Sequence, residues 1–245
     1  MRRLSTIGVI LAALGTGLVS TPAAAQTLEQ IQARRIEAQG GEGVLRGIRD
    51  MTIKGTIDLV QQGLKGTITI YKKEPDKRRS DTEVLSLVLS EAYDGLTAWA
   101  TNPRTGAIEE RYGSQLEMMK RQALPLTAVL EPEKFGISLS YTGKATIDGR
   151  ECHVLEQSFD SGFVATIYVD AETYLTLMTK ALVPSPDTGT SVAVEQVISD
   201  YKEVGGMMVG HSIVTRADGV LATSIRIENI RFNTGLQDSL FEMRK

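Results

Sequence analysis

The sequence predicts a mainly β protein (α+β) in which one strongly curved antiparallel sheet wraps around helices. Three observations predict it. From Met51 onward, apolar residues recur with period two, in runs parted by hairpin-type turns every 8 to 14 residues. Only residues 113–136 break that pattern with helical spacing. The resulting count, eleven or twelve strands with about 11 in the sheet proper, exceeds what a flat antiparallel sheet holds; at that size it must curl, split or close.

The first 25 residues read as a secretory signal peptide rather than as structure. Arg2 and Arg3 give a basic start, residues 7–19 an apolar run too short for a span, and Ala23-Ala24-Ala25 a processing site before Gln26. Export into a Gram-negative periplasm follows, with a single soluble domain over residues 26–245. Losing Arg2 and Arg3 with the leader takes the 27 basic residues to 25 against 30 acidic ones, a net charge near −5. That balance disfavours nucleic acid as a partner. Cys152 is the only cysteine, so no internal disulfide can form, and its predicted strand position makes it a buried, inert thiol.

The elements follow in order. Thr27-Leu28-Glu29-Gln30 fits a capping box, with Leu28, Ile31, Arg35 and Ala38 at helical spacing behind it. Gly40-Gly41 ends that helix; Gly40 to Gly43 lacks the preceding strand and the lysine of a phosphate-binding loop. Val44, Leu45 and Ile48 suggest one more short helical turn. Residues 51–60 then pair with 64–73 through Gln61-Gln62-Gly63, and residues 77–82 form a polar strand. Next comes the most apolar stretch, residues 84–99, in which ten of sixteen residues are apolar. It reads as a strand, a turn at Asp94-Gly95 and a return strand, since Asp-Gly supplies the positive φ of a tight hairpin. Leu85, Leu87 and Leu89 would share one face of the first arm, and Val84 and Val88 would make the other partly apolar too.

In the insert, Leu116, Met119, Ala123 and Leu124 fall on one helical face, Pro125 stops the helix, and Leu126, Val129 and Leu130 form a second short apolar face. Met118 and Met119 add adaptable surface. The insert is either a crossover packed on the sheet or a lid over an apolar hollow. Beyond it, strands over 140–147, 151–158, 163–170, 174–184, 190–202, 207–216 and 220–232 alternate with turns.

Catalytic signatures are lacking. His153 and His211 are far apart and the lone cysteine gives no zinc spacing. No G-x-S-x-G elbow occurs. Aspartates such as Asp148, Asp160, Asp170, Asp187, Asp200 and Asp218 stand mostly at turns, where they cap backbone N–H groups. The basic cluster Lys72-Lys73 and Lys77-Arg78-Arg79 reads as a soluble strand edge, or else as a patch for acidic partners or lipid head groups. No enzyme activity, metal or cofactor is expected. Trp99, the single tryptophan, either closes the hairpin or lines a ligand hollow.

Six segments in order carry a family resemblance: AQGGEGVLRGIRDMTIKGTI (38–57), YDGLTAW (93–99), YTGKATIDGRECHVLE (141–156), YVDAETYLTLMTK (168–180), SDYKEVGGMMVGHSI (199–213) and IENIRFNTGLQDSLFEM (227–243). The chain resembles the periplasmic outer-membrane lipoprotein-sorting proteins of the LolA/LolB-like superfamily. The resemblance implies a curved, unclosed antiparallel β half-barrel with a helical lid and an N-terminal helix, enclosing an apolar cavity for acyl chains. It implies binding rather than catalysis, with lipid or lipoprotein acyl chains as cargo and inner- and outer-membrane transport proteins as donor and acceptor. An RseB-like sensing or assembly module, binding a protein partner in the envelope, is the alternative. By face and region, the residues expected to line the cavity are Ile68, Ile70, Leu85, Leu87, Leu89, Trp99, Met119, Leu126 and Leu130.

Overall fold

A computed structural model describes residues 26–184 and 190–243. The predicted leader over residues 1–25 and the predicted loop at 185–189, with Asp187, lie outside the described residues. Helix α1 (Leu28–Ala38) opens with the expected capping box: the Gln30 N–H donates to Thr27 Oγ1 at 3.4 Å, and the Thr27 N–H donates to Gln30 Oε1 at 3.1 Å. Helix α2 (Gly41–Gly47) follows at once. Between them Gly40 has φ +121°, and a Cβ there would stand 2.3 Å from the Gly206 carbonyl oxygen. The glycine is needed for a close approach of two backbones, not for a ligand.

Thirteen strands follow: β1 (Asp50–Leu59), β2 (Leu64–Lys73), β3 (Lys77–Val84), β4 (Leu87–Tyr93), β5 (Ala98–Thr101), β6 (Ile108–Arg111), β7 (Ile137–Ile147), β8 (Arg150–Phe159), β9 (Val164–Asp170), β10 (Thr176–Pro184), β11 (Ser191–Val204), β12 (Met207–Ala217) and β13 (Val220–Phe232). They form one antiparallel sheet in the order β6-β5-β4-β3-β2-β1-β13-β12-β11-β10-β9-β8-β7. The chain enters at mid-sheet and meanders to one edge. It crosses to the other edge through helix α3 (Gly113–Ala123) and two 3-10 turns, Leu126–Val129 and Pro132–Phe135, then returns until β13 pairs with β1. Among the described residues, β6 and β7 have no second neighbour, so the curved sheet is an open half-barrel. The short strand β6, paired with β5, raises the strand count above the expected one.

The stretch at 84–99 differs from its sequence reading. A turn forms at Asp94-Gly95, but not the tight two-residue one: Tyr93 pairs with Ala98, residues 94–97 make a four-residue loop with positive φ at Gly95 and not at Asp94, and Asp94 Oδ1 accepts from the Leu96 and Thr97 N–H groups at 2.8 and 2.6 Å. A second hairpin turn, at Leu85-Ser86, divides the presumed strand. Val84 pairs with Leu87, leaving a two-residue loop whose φ angles are +49° and +65°. A two-residue hairpin needs positive φ at both positions, and Asn-Gly normally supplies it. Here pairing on both sides of β3 (Gly66 with Val84, Val84 with Leu87) sets the register, and it overrides the local preference of leucine and serine. Leu85 therefore does not share a face with Leu87 and Leu89; it stands at the tip, 80% exposed.

Paired residues share a face of the sheet, which sorts the two surfaces. Met119 and Ala123 of α3 bury themselves against Tyr93 and Ala98. Through the pairings Ala98–Tyr93–Arg78–Lys72–Met51, that face continues into β1. It runs on from Ile57 through Ile225 and Ile213 to Ile198. Gln196, two residues from Ile198, links through Thr179 to Ile167 and Leu155, where Ile31 of α1 is fully buried. Helices α1 and α3 thus lie on one inner face. Burying a side chain such as Ile31 contributes about 1.5–3 kcal/mol, so α1 is held mainly by packing.

The outer face of β1–β5 carries the C-terminal segment. Asp50 accepts from the N–H groups of Thr234, Gly235 and Leu236. Burial alone would raise the Asp50 carboxyl, but these donors and the Thr234 hydroxyl outweigh it and hold it below the usual carboxylate range. Lys73 Nζ donates to the Leu236 carbonyl at 2.8 Å, Arg79 Nη1 to the Leu240 carbonyl at 2.9 Å, and Trp99 Nε1 to the Phe241 carbonyl at 2.8 Å. Phe241 is fully buried.

Candidate functional site

The nine residues expected to line a cavity divide by location. Ile68, Ile70, Leu87 and Leu89 lie on the inner face: Ile68 and Leu89 both pair with Thr82, Leu87 with Val84, and Ile70 with Ser80. Met119 also faces inward, buried against the sheet. Leu126 packs at the foot of the insert beside Lys72, Ala123 and Pro125, around a crevice of about 10 Å³, scarcely room for one water. Leu130 follows the turn that lies against α2. Leu85 is on the hairpin tip and Trp99 is on the outer face, adjacent in sequence to inward-facing Ala98 and covered by Arg79 and the C-terminal segment. These two cannot share a hollow with Met119, because they point away from it.

A larger hollow than that crevice lies elsewhere. Helix α3 seats Leu116, Met119 and Ala123 on the sheet and turns a second flank, with Gln115, Met118 and Arg121, toward the starts of β9 and β11 and the end of β10. Between them is an open groove of about 830 Å³, a size typical of small-molecule sites. Its apolar wall includes Met118, Phe163, Val164, Leu182 and Val183. The Arg121 guanidinium stacks on the Phe163 ring at 3.9 Å, and partial burial lowers its pKa. Lys180, also on the groove, pairs with Glu195 at 2.6 Å. None of the nine nominated residues lines this groove. The helical wheel holds the signal that would have found it: once Leu116, Met119 and Ala123 are assigned to packing, Met118 sits on a free flank.

The foot of the insert is fixed by charged side chains on both sides of Pro125. Lys72 Nζ donates to the Leu124 carbonyl at 2.8 Å, and the Leu126 N–H donates to Glu74 Oε1 at 3.1 Å. Burial, assisted by nearby Arg78, brings Lys72 down to about 8, and burial pushes the Glu74 carboxyl up. The basic cluster is therefore not a solvated strand edge. Its strands are interior to the sheet, and its other members are engaged too, Lys77 with the Asp94 carbonyl at 2.7 Å and Arg78 with Glu91 at 2.9 Å. What period-two reading could not show is that each of these long side chains ends on a backbone carbonyl or a carboxylate, those of Lys72, Lys73 and Arg79 reaching segments more than fifty residues away.

Two polar atoms are buried without partners among the described residues, Arg35 Nε and His153 Nε2. Burial brings Arg35 down to about 10, while His153, stacked on Tyr174 at 5.7 Å between ring centroids, is lowered chiefly by burial. Cys152 is fully buried and burial raises its thiol. Asp170, at the end of β9, accepts from the Glu172 and Thr173 N–H groups, as a turn aspartate does. Among the described residues no three His, Cys, Asp or Glu side chains gather as a metal site, and no helix is long and apolar enough to cross a membrane.

Comparison with solved structures places this architecture. No protein-family model matches the chain, and no curated protein matches it by sequence. A DUF1329 family protein from Desulfovibrio piger superposes with a TM-score of 0.60 at 16% identity, over 89% of this chain and 98% of that one. A putative outer membrane lipoprotein-sorting protein domain from Vibrio parahaemolyticus gives 0.56 at 15% identity, over 86% and 94%. A LolA superfamily protein from Nitrosomonas europaea gives 0.58 at 10% identity, over 89% and 99%. At these identities the likeness is one of fold. The architecture of this chain is the open, helix-filled half-barrel of LolA-like lipoprotein-sorting structures.

Proposed function

We propose that the protein is a periplasmic binding module that holds the acyl chain of a lipid or lipidated protein in the groove beside α3 and carries it toward the outer membrane. The observation that carries this reading is the groove itself. It has an apolar wall on one half of the sheet, a methionine-bearing helix flank opposite, and cationic Arg121 at its border. Each methylene that enters such a wall is stabilised by about 0.8 kcal/mol, and methionine adapts to chains of varied shape. The likeness to a lipoprotein-sorting domain supports the same cargo class. Helix α3 and the Lys72–Glu74 attachment at its foot would act as the lid and its fixed end.

Native mass spectrometry of purified protein tests the proposal. It predicts co-purified acyl lipid, released on denaturation. Protein free of lipid, together with one stoichiometric envelope protein recovered by pull-down, would overturn it in favour of a sensing or assembly module.

A further inference from the structure

The groove beside α3 holds a cation that the fold does not neutralise. Three charged side chains line it, and two of them are paired: Glu117 with Lys120 at 2.9 Å, and Lys180 with Glu195 at 2.6 Å. Arg121 is the third, and among the described residues its side chain has neither an ion pair nor a hydrogen bond. It is held instead by Phe163, with the guanidinium carbon over the ring at 3.9 Å from the centroid. Stacking occupies a face of the guanidinium and leaves its N–H edge for a ligand. We infer that the groove selects an anionic amphiphile, its carboxylate or phosphate bound by Arg121 and its chain laid along Met118 and Leu182. The inference rests on reading the groove as an acyl-chain site and adds the head group which that site prefers.

The chemistry of an unpaired, partly buried guanidinium favours an anion. Burial strips part of its hydration, and that is the main cause of its lowered pKa. The charge has thus lost water without gaining a counter-ion, and a ligand anion supplies what is missing. Carboxylate and phosphate both match the guanidinium fork and accept two parallel N–H bonds. Ser161, two residues before Phe163, brings a hydroxyl to the same groove as a further donor. Helix geometry alone does not account for Arg121. A cation is favoured in the last turn of α3, but Lys120 stands there too, turned away from the groove onto Glu117. An acyl chain on a lipidated protein ends in an uncharged amide or ester, which would cover Arg121 and leave its charge unmatched. The site therefore favours a fatty acid or a phosphate-bearing lipid over an acylated protein.

Calorimetric titration of the purified protein near neutral pH with decanoate, decyl phosphate and decanol, each below its micelle concentration, is the test. The three share one chain and differ in head group. Wild type is expected to bind at least one of the anions roughly tenfold or more tighter than decanol, the gain of a hydrogen bond between charged partners. Arg121→Gln should abolish that preference and leave decanol binding unchanged. If Arg121→Gln melts early, Arg121→Met decides, because its apolar stem keeps the packing on Phe163. A preference confined to decanoate or to decyl phosphate supports the inference and names the head group. Equal binding of all three ligands by wild type would overturn it while leaving the acyl-chain reading of the groove in place, whereas binding of none would overturn both. Anion preference that survives both substitutions would overturn it, and so would displacement of decyl phosphate by an equal concentration of inorganic phosphate, since the site would then hold an ion without its chain.

Discussion

Replacing Leu85-Ser86 by Asn-Gly should stabilise the protein, although it removes a leucine and puts a glycine in a hairpin. Both native residues have positive φ, +49° and +65°. Left-handed backbone costs an ordinary residue about 1–2 kcal/mol; asparagine bears less of that and glycine none. Glycine returns part of the gain, about 0.5–1 kcal/mol, through its greater freedom in the unfolded chain. Leu85 is 80% exposed, so losing its side chain forfeits almost no burial. The net expectation is a gain of about 1–2 kcal/mol, or a Tm increase of about 2–8 °C for a chain of this size. Thermal melting followed by circular dichroism, with urea titration to confirm an unchanged m-value, measures it. An unchanged or lowered Tm would refute the reasoning, because it would mean that the turn is not left-handed at these residues and that Val84 does not pair with Leu87.

Trp99→Phe should cost about 1–3 kcal/mol, since it leaves the buried Phe241 carbonyl without its indole donor. Denaturant titration measures that loss, and the fluorescence of this lone tryptophan should not respond to a fatty acid, since Trp99 lies on the outer face. Lys72 predicts a pH dependence: burial holds it near 8, below its ordinary 10.5, so between those values the native state binds fewer protons than the unfolded one. Its penalty is complete below pH 8 and fades as the pH rises to 10.5, so the stability of wild type relative to Lys72→Met should rise across that window by up to about 3 kcal/mol, read by urea titration at each pH.

The fold was largely legible because its elements rest on local pattern. The capping box at Thr27 and Gln30, the Pro125 stop and the Asp-Gly turns are each fixed by a few neighbouring residues, and they appear where sequence puts them. The Leu85-Ser86 turn was not legible, because nothing in those residues favours positive φ; register in β2 and β4 imposes it. Two of the expected lining residues were misplaced as a result of face assignment. Treating 84–89 as one strand put Leu85 beside Leu87 and Leu89, and choosing Trp99 for its size ignored that Ala98 already faced inward. The groove is built from α3 and strands far from it in sequence, so only the crossing of the insert brings Met118 and Arg121 to Phe163 and Leu182. Period-two and helical spacing give faces, not which faces meet. The basic cluster shows the same limit, since the partners of Lys72, Lys73 and Arg79 lie more than fifty residues away.

Binding of a fluorescent fatty acid to wild type and to the single variants Met118→Asp and Leu182→Asp addresses the groove most directly. Leu182 is 63% exposed, so its substitution leaves the core intact. Desolvating a carboxylate against an acyl chain, together with the lost apolar contact, should weaken binding at least roughly tenfold in each variant. Saturable binding by wild type and that loss in both variants is the predicted result. Equal binding by all three proteins, or none by wild type, would contradict the assignment of the groove as an acyl-chain site.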